Sequence, residues 1–339
     1  MNFLRKLLFP VAFIYWIVTW LRNYFYDKQI FKSKSFDLPI IAVGNLSVGG
    51  TGKTPQIEYL IRLLQDQYKL ATLSRGYKRE TNNFVLANAS TTVKQLGDEP
   101  FQFFTKFPKI KVAVDANRIN GITELLKLED KPNVILLDDA FQHRKVKAGF
   151  YILLTTYSEL FCEDYILPFG NLREPSFAKK RANMIIVTKC PVAISDLAIC
   201  DIKRKLDTNI PVFFSKIEYD ELVYSEMESI KTSYLIQAEK IIITGIAKPF
   251  PFISYLKKEN DLVLEFPDHH NFTDKEINKI KKLANNKVII TTEKDYMRLK
   301  GSLPKAQLFY LPIKSTIVKD ANLLNKIILD YVGRSTRDC

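Results

Sequence analysis

The residues best suited to carry chemistry lie in a glycine-rich loop between a short apolar run and an amphipathic stretch. Residues 40–43 are apolar and predict a buried strand, and apolar side chains recur at helical spacing from residue 57 to residue 64. Glycines in such a loop let several backbone N–H groups face one anion, and the following helix N-terminus adds partial positive charge. The order of strand, loop, Lys-Thr pair and helix predicts a P-loop that binds nucleotide phosphates. Its residues are Ser47, Val48, Gly49, Gly50, Thr51, Gly52, Lys53 and Thr54.

Two side chains of this loop are expected to have different roles in binding a nucleotide. Lys53 is long enough to reach the β- and γ-phosphates, and the Thr54 hydroxyl can ligate Mg²⁺. Ser47 departs from the standard pattern, which has Gly at that position. The alternative interpretation is a glycine-rich turn without a ligand, but it leaves the Lys-Thr pair unexplained.

A pair of acids follows a second apolar run. Residues 133–137 predict a buried strand, and Asp138 and Asp139 come directly after it. Acids at that position can hold Mg²⁺ directly or through water, as in a Walker B element. An ordinary strand-to-loop exit would look the same, so the upstream P-loop is what favours a Mg²⁺ site.

Other polar residues stand at predicted strand ends or helix starts. Asp98 precedes an aromatic helix and either caps it or takes a proton from an attacking hydroxyl. Arg75 follows a predicted strand, where open α/β sheets bind ligands, or lies in a solvated turn. Arg173 lies in a loop stiffened by Pro and Gly and can clamp a phosphate through two hydrogen bonds. The adjacent His269 and His270 are either polar surface or hold an acid-base partner.

The alternation of strands and helices predicts the scaffold that positions these residues. Strand-helix units from residue 37 to residue 220 predict a mostly parallel sheet with helices on both faces, a P-loop NTPase-type α/β domain. The pattern restarts at residue 240 and predicts a smaller α/β domain. We therefore divide the chain into an N-terminal segment 1–36, a P-loop domain 37–220 and a second domain 221–339 that closes over the cleft.

The N-terminal segment contains an uncharged apolar stretch, residues 7–21, with basic residues on both sides. The stretch is apolar all round and shorter than the roughly 20 residues that span a bilayer. It predicts a monotopic anchor, with Trp16, Trp20 and Tyr24 near the interface. A buried core helix and a single-span anchor remain alternatives. The basic flanks, which include Arg5, Lys6 and Arg22, favour the cytoplasmic side of the membrane.

The amino-acid composition limits the classes of partner that the protein is expected to bind. The 339 residues carry 50 Lys and Arg against 37 Asp and Glu, a net charge of +13, which favours an anionic partner such as nucleic acid, a membrane surface or a phosphorylated substrate. A nucleic-acid role rests on this charge alone, because no nucleic-acid-binding motif is present. Four cysteines without a C-x-x-C pair, and only three histidines, argue against a structural zinc site and a disulfide framework. A reducing cytosolic setting follows.

Nine ordered stretches make the chain resemble one family, the tetraacyldisaccharide 4'-kinases of lipid A biosynthesis. They are VGNLSVGGTGKTP, LSRGY, GDEP, DANR, DDAFQHR, LPFGNLREP, ITGIAKPFPF, FPDHHNFT and TTEKDYMRL. The resemblance runs from the apolar N-terminus to Arg298. The family tolerates a small hydroxyl residue at the position of Ser47, and Ala140 stands where it usually has Gly.

The resemblance implies a kinase that uses ATP and Mg²⁺. Its acceptor would be the 4'-hydroxyl of an acylated glucosamine disaccharide 1-phosphate, and its product would be lipid IV-A. Asp98 would act as the base or orient the hydroxyl, and His269, favoured over His270, would support its charge. Lys53 would serve catalysis, and Thr54, Asp138 and Asp139 would hold Mg²⁺. The residues implied in substrate and phosphate binding are Arg75, Arg118, Arg173 and Glu174.

The resemblance also implies a location and partners. An anionic membrane surface would present the lipid substrate at the cytoplasmic face of the inner membrane, with the protein acting as a monomer and binding no nucleic acid. One rival interpretation is a membrane-associated P-loop NTPase that acts as a switch or chaperone. A second is a non-enzymatic membrane-bound binding module, which leaves the Lys-Thr and Asp-Asp pairs unexplained.

Overall fold

A computed structural model describes residues 5, 7–76, 79 and 82–337. Lys6 of the basic flank and Tyr77 of the LSRGY stretch lie outside the described residues. The strands form two separate sheets, one of nine strands and one of six. The prediction of a P-loop-type α/β fold with a second α/β unit is confirmed.

The nine-stranded sheet has the order β15-β8-β7-β6-β1-β5-β2-β4-β3. Its strands are β1 Ile40–Asn45, β2 Leu70–Ser74, β3 Val85–Leu86, β4 Lys111–Val114, β5 Val134–Asp138, β6 Phe150–Thr156, β7 Met184–Thr188, β8 Val212–Tyr219 and β15 Ile313–Ile317. All pairs are parallel except β3 with β4 and β15 with β8, which lie at the two edges. Strands β1, β2, β5 and β7 are buried at every residue, because helices cover both faces of the sheet.

The six-stranded sheet has the order β10-β9-β14-β13-β11-β12. Its strands are β9 Leu222–Tyr224, β10 Ser229–Lys231, β11 Lys240–Thr244, β12 Leu262–Glu265, β13 Val288–Thr292 and β14 Leu308–Leu311. Strands β11 to β14 pair in parallel, and β9 and β10 form an antiparallel edge.

Eleven α-helices are present in the part of the chain that the structure describes. They are α1 Phe9–Asp27, α2 Lys53–Leu64, α3 Val93–Leu96, α4 Asp98–Lys106, α5 Arg118–Leu126, α6 Asp196–Leu206, α7 Thr232–Gln237, α8 Phe250–Leu256, α9 Asp274–Ala284, α10 Glu293–Leu299 and α11 Ala321–Arg337. Helix α9 begins with a capping box, in which the side chains of Thr273 and Glu276 each accept a hydrogen bond from the other's backbone N–H group.

The end of the chain returns to the nine-stranded sheet, which the division at residues 221–339 does not anticipate. Strand β15 pairs with β8, and Leu324, Ile328 and Val332 of α11 join the core that β1 and α2 also line. The Tyr331 hydroxyl donates a hydrogen bond to the Ile40 carbonyl oxygen at 3.2 Å. The amphipathic face of α11 needs a large apolar surface, and the P-loop unit provides it.

Helix α1 exposes most of its apolar side chains. Exposed residues include Phe9, Val11, Phe13, Ile14 and Val18, and only Ala12 and Asn23 are buried. The interpretation of this stretch as a buried core helix is therefore wrong. Phe13, Trp16, Trp20 and Tyr24 form a continuous stack along one face. None of the helices in the described residues is long and apolar enough to cross a bilayer.

Candidate active site

A cavity of about 1470 Å³ lies between the two sheets and α1. Because the strands are mostly parallel, their carboxyl ends meet along one side of each sheet, where open α/β sheets bind ligands. The cavity wall includes the P-loop, the loops after β2 and β5, the start of α4, and the turn after β12. The residues that line it include Lys53, Thr54, Arg75, Asp98, Arg118, Asp138, Asp139, Arg173, Glu174 and His269. The predicted site residues thus converge on one cleft, except Ser47 and Val48, which are not among the residues that line it.

Two glycines of the P-loop have a left-handed backbone conformation. Gly52 has φ +83° and precedes α2, and Gly49 has φ +99°. Those two positions need glycine, because other L-residues are strained there. The loop is held by its neighbours: Thr188 donates to the Thr51 carbonyl oxygen at 2.7 Å, and Lys189 donates to the Gly50 carbonyl oxygen at 2.6 Å. The first residues of α2 line the cavity, and a helix N-terminus at that place suits an anionic ligand.

The ammonium of Lys53 lies between the P-loop and the acids after β5. It donates to Asn45 Oδ1 at 3.1 Å and pairs with Asp139 Oδ1 at 3.4 Å. Arg173 contacts both Asp139 carboxylate oxygens at 3.1 Å. Burial alone would raise the pKa of Asp139, but Lys53 and Arg173 outweigh it and lower the pKa. Asp139 is therefore ionised and compensated by two cations.

Asp138 is buried at the end of β5 and lacks such compensation. Burial, followed by the charge of the Glu99 carboxylate, raises its pKa to about 7. Its Oδ2 accepts a hydrogen bond from Ser74 at 3.4 Å, while Oδ1 has no hydrogen-bond partner among the described residues. A buried, unpartnered carboxylate oxygen fits a site for a cation, which would supply the missing charge.

The residues fit Mg²⁺ better than a metal held by protein ligands alone. Within the described ranges, no group of three or more His, Cys, Asp or Glu side chains is arranged to hold a metal. Mg²⁺ is usually bound by one or two carboxylates together with substrate phosphates and water. Asp138, with Thr54 and Asp139 at the same side of the cavity, provides a donor set of that kind.

Asp98, the first residue of α4, is held by residues from the six-stranded unit. Its Oδ2 accepts hydrogen bonds from Arg298 Nη2 at 2.6 Å and Nε at 3.1 Å, and lies 3.1 Å from His269 Nδ1. Burial opposes its ionisation, but His269 and Arg298 lower its pKa to about 2. Lys294 Nζ lies 2.9 Å from the other ring nitrogen of His269. Asp98 is therefore a fixed carboxylate in the cleft.

The two adjacent histidines have different partners. His269 has φ +60° and contacts Asp98, whereas His270 Nε2 lies 3.0 Å from Glu276 Oε2. The His270 ring also stacks on Phe266 with ring centroids 4.9 Å apart. The structure thus places His269 against the predicted base and His270 against the capping box of α9. Which of the two acts in catalysis stays a prediction.

Three residues predicted to bind phosphate or substrate differ in their burial and in their hydrogen-bond partners. Arg118 is buried and donates to the carbonyl oxygens of Asp115 at 2.6 Å and Asp138 at 3.2 Å. Burial lowers its pKa to about 10. Glu174 is also buried and accepts hydrogen bonds from Asn23, Gln142 and Arg181. Arg75 is exposed at the end of β2 on the cavity wall. The present contacts of Arg118 and Glu174 stabilise the cleft, and a direct ligand contact stays a prediction.

Sequence reasoning assigned no role to Arg298, Lys294 or Asn45. Arg298 and Lys294 lie on α10 within the TTEKDYMRL stretch, and their spacing of four residues puts them on one helix face. That spacing indicates a shared helix face in the sequence, but it does not indicate that this face of α10 contacts Asp98. Asn45 ends β1, where the carboxyl edge of the sheet begins.

Together these features define an ATP- or GTP-type P-loop phosphotransferase site, with phosphate-binding loop, acids and a carboxylate for an acceptor hydroxyl in one cleft. The comparisons with known proteins narrow the class. The model of the family described as LpxK, tetraacyldisaccharide-1-P 4'-kinase, matches residues 4–332. The chain therefore belongs to this family, and it is a kinase.

Individual relatives agree with that membership. The tetraacyldisaccharide 4'-kinase of Flavobacterium johnsoniae is 56% identical over 334 residues, covering 98% of each chain. The one from Phocaeicola vulgatus is 43% identical over 355 residues, covering 99% of this chain and 97% of the relative. A crystal structure of LpxK from Aquifex aeolicus in complex with ATP has a TM-score of 0.79 and 31% identity, and covers 97% of this chain and 99% of that chain. The resemblance inferred from the nine stretches is confirmed.

The contacts of Asp98 predict an acid-sensitive link between the two units. Its pKa is about 2 in the folded chain, below the ordinary 3.8, so the unfolded chain binds this proton more readily. The resulting stability, about 2 kcal/mol, is fully present above about pH 4 and is lost as the pH falls through about 2. We expect Asp98→Asn to be less stable than the unsubstituted chain at pH 6, with the difference shrinking toward pH 2.5. Urea unfolding across this range measures it.

Asp66→Asn is the control, because Asp66 pairs with Lys109 on the surface, where both side chains are well exposed. A stability difference for Asp98→Asn that does not change between pH 6 and pH 2.5 would contradict the assignment.

Proposed function

We propose that the chain transfers the γ-phosphate of ATP to the 4'-hydroxyl of an acylated glucosamine disaccharide 1-phosphate, and that Asp98 is the group that receives this hydroxyl. The observation that carries the proposal is the place of Asp98. It stands in the same cavity as Lys53 and the P-loop, on a different helix, and is fixed by Arg298 and His269. A switch NTPase has no need of an anchored carboxylate facing the phosphate site.

The charges around the cavity suit phosphoryl transfer. This reaction depends on positioning and on neutralising charge at the phosphate, more than on covalent chemistry. Lys53 and the P-loop N–H groups bind the β- and γ-phosphates, and Arg173, beside Asp139, is placed to follow the transferred phosphate. Mg²⁺, held by Thr54, Asp138 and Asp139, would neutralise phosphate charge when bound. Arg75 and Arg118 complete the proposed phosphate-binding set.

The low pKa of Asp98 indicates how it acts. A carboxylate with a pKa of about 2 is a weak proton acceptor at neutral pH. In a loose transition state the attacking oxygen loses its proton late, so a strong base is not needed. Asp98 therefore orients the hydroxyl first and accepts its proton as the new P–O bond forms. His269, held by Lys294 on its other side, supports the charge of Asp98.

The lipid acceptor gives α1 a purpose. Its exposed Phe, Val and Ile side chains and its aromatic stack are suited to the interface of a bilayer, and the net charge of +13 adds attraction to anionic lipid. We propose that the protein lies on the cytoplasmic face of the inner membrane as a monomer, with α1 in the interface. The cavity reaches Tyr15, Val18 and Thr19 of α1, so a lipid-borne sugar could enter from the membrane side.

Product analysis separates this function from the switch or chaperone alternative. Incubation with γ-labelled ATP, Mg²⁺ and the disaccharide 1-phosphate lipid should place the label on the lipid, at the 4' position. Label found only in free phosphate, with no lipid product, would favour the NTPase alternative.

Removal of either central side chain should abolish transfer. Lys53→Ala removes the cation of the P-loop, and Asp98→Ala removes the acceptor-binding carboxylate. We expect transfer to fall at least about 100-fold in each. Asp98→Ala should still bind ATP with nearly unchanged affinity, because the described hydrogen bonds of the Asp98 side chain go to Arg298 and His269 and not to the P-loop. Labelled transfer and nucleotide titration measure the two effects, and near-normal transfer by both purified variants would contradict the site.

Single substitutions of the paired histidines test which one acts. His269→Ala removes the ring that contacts Asp98, so we expect the rate constant for transfer to fall about tenfold or more. His270→Ala removes a ring that stacks on Phe266 and contacts Glu276 of the α9 capping box, so it should lower the melting temperature more than the rate. Steady-state kinetics at saturating ATP, together with melting curves for both variants, show which histidine acts in catalysis. The reverse order of effects would assign catalysis to His270.

Deletion of residues 1–21 tests the anchor. We expect the truncated chain to leave vesicles that contain anionic phospholipid, because it loses most of the exposed apolar side chains of α1. Co-sedimentation with such vesicles, compared with the full chain, is the measurement. A second variant replaces Trp16 and Trp20 by Ser, keeps the Tyr15 and Asn23 contacts with the rest of the protein, and should also bind the vesicles more weakly. Full partitioning of the truncated chain with membranes would refute the anchor.

A further inference from the structure

A buried ion-pair cluster connects the P-loop helix to the two helices that hold Asp98. Lys106, the last residue of α4, lies 2.8 Å from Glu58 Oε2 on α2 and 2.7 Å from Glu293 Oε1 at the start of α10. Glu58 is 1% exposed and Glu293 is 6% exposed, while Lys106 is 24% exposed. One ammonium therefore joins three helices.

The two carboxylates are held by further donors. Glu58 accepts hydrogen bonds from Gln102 of α4 at 2.9 Å and from Arg62 of its own helix at 2.7 Å. Glu293 accepts one from the backbone N–H of Ile313, where the chain returns toward the first sheet, at 3.4 Å. Burial, and then the nearby Glu58 charge, raises the pKa of Glu293 to about 7. Burial opposes the charge of Lys106, but the two glutamates raise its pKa.

Among the described residues, the cluster contains one of three ion pairs between α4 and α10, of which the pair of Lys294 with Glu99, at 4.0 Å, is the longest. At the start of α4, Asp98 pairs with Arg298 near the end of α10, and at the end of α4, Lys106 pairs with Glu293 at the start of α10. The helices therefore run antiparallel and are tied at both ends. Among the ion pairs described, only that of Lys106 also reaches α2, the helix whose first residue is Lys53.

We infer that Lys106 is a positioning residue, which sets the placement of α4 and α10 against the P-loop helix and thereby the distance between Asp98 and the bound phosphates. The inference rests on the function proposed above for Asp98. A tie to α2 is needed because Asp98 lies on a different helix from the P-loop, and displacement of a reacting group by about 1 Å can lower a rate about 100-fold. Lys106 contacts neither Asp98 nor Lys53 in any described hydrogen bond or ion pair, so it acts through the helices.

The main test is Lys106→Met. We expect kcat for transfer to the lipid acceptor to fall about 10- to 100-fold, while the Kd for ATP, measured by nucleotide titration, changes less than about twofold. Lys106→Arg should recover part of the rate, since it restores a cation between the glutamates. Lys109→Met is the matched control, because Lys109 lies three residues away and pairs with Asp66 on the surface. It should transfer like the unsubstituted chain.

A second variant keeps the test decisive if Lys106→Met does not fold, because that change leaves two buried carboxylates without their cation. The triple substitution Glu58→Gln, Lys106→Met and Glu293→Gln removes all three charges together. We expect it to melt near the unsubstituted chain and still to have low kcat. If a folded variant of either kind transfers within twofold of the unsubstituted rate, the inference is overturned. The same follows if kcat and ATP affinity fall together, because Lys106 would then support only the P-loop.

Asp98→Ala, measured in parallel, separates the two proposals. Normal transfer by Asp98→Ala would refute the function proposed for Asp98. Loss of transfer by Asp98→Ala together with normal transfer by Lys106→Met would refute the positioning inference alone.

Discussion

The ion pair between Asp98 and Arg298 is the contact on which the geometry of the cleft depends. Asp98 belongs to a helix of the nine-stranded unit, while Arg298 and His269 belong to the six-stranded unit. Arg298 is 7% exposed, so the pair is shielded from water and is stronger than a surface ion pair. Apolar packing supports it, since Phe101 of α4 packs against the cores of both units. A carboxylate held from both sides loses its freedom to rotate, which is what hydroxyl orientation requires.

The two acids after β5 differ in how well nearby cations compensate their charge. Asp139 has Lys53 and Arg173 beside it, but Asp138 is buried with Glu99 nearby and its pKa is raised. A strongly raised pKa at a buried strand end is typical of a functional site, because burial without a partner destabilises the fold. A bound metal and nucleotide would change this balance, since the metal compensates the acids and the phosphates engage Lys53 and Arg173. The charge pattern is thus complementary to a metal-nucleotide complex rather than to either part alone.

Much of the fold and of the site could be predicted from local sequence patterns. The features that could not be predicted depend on contacts between residues far apart in the sequence. The apolar runs before Asn45 and Asp138 identify central parallel strands, whose carboxyl ends must meet, so the convergence of P-loop and acids followed from the sequence. The capping box at Thr273 is equally local. In contrast, Ile313 to Ile317 look like a continuation of the second unit, and only pairing with β8 shows that they return. Arg118 and Glu174 look like exposed ligand-binding residues, but buried carbonyl and amide partners hold them. Arg298 is recognisable only once the second unit is seen against α4.

Helix α1 is part of the active-site wall and also carries the surface that we propose faces the membrane. The Tyr15 hydroxyl donates to the Arg173 carbonyl oxygen at 2.9 Å, and the Asn23 side chain donates to Glu174 at 2.9 Å. Arg173 and Glu174 lie in the loop that contacts Asp139 and, through Gln142, the end of β1. One side of α1 therefore holds the loop beside the phosphate site through Tyr15 and Asn23, while a neighbouring side carries the exposed aromatic stack. If α1 lies in the membrane interface as proposed, the depth at which its apolar side enters the bilayer would also set the height of the cleft above the lipid surface. An acceptor sugar attached to acyl chains would then reach Asp98 only at a matching height, so the packing of α1 against the loop would constrain which lipid-borne hydroxyl is presented.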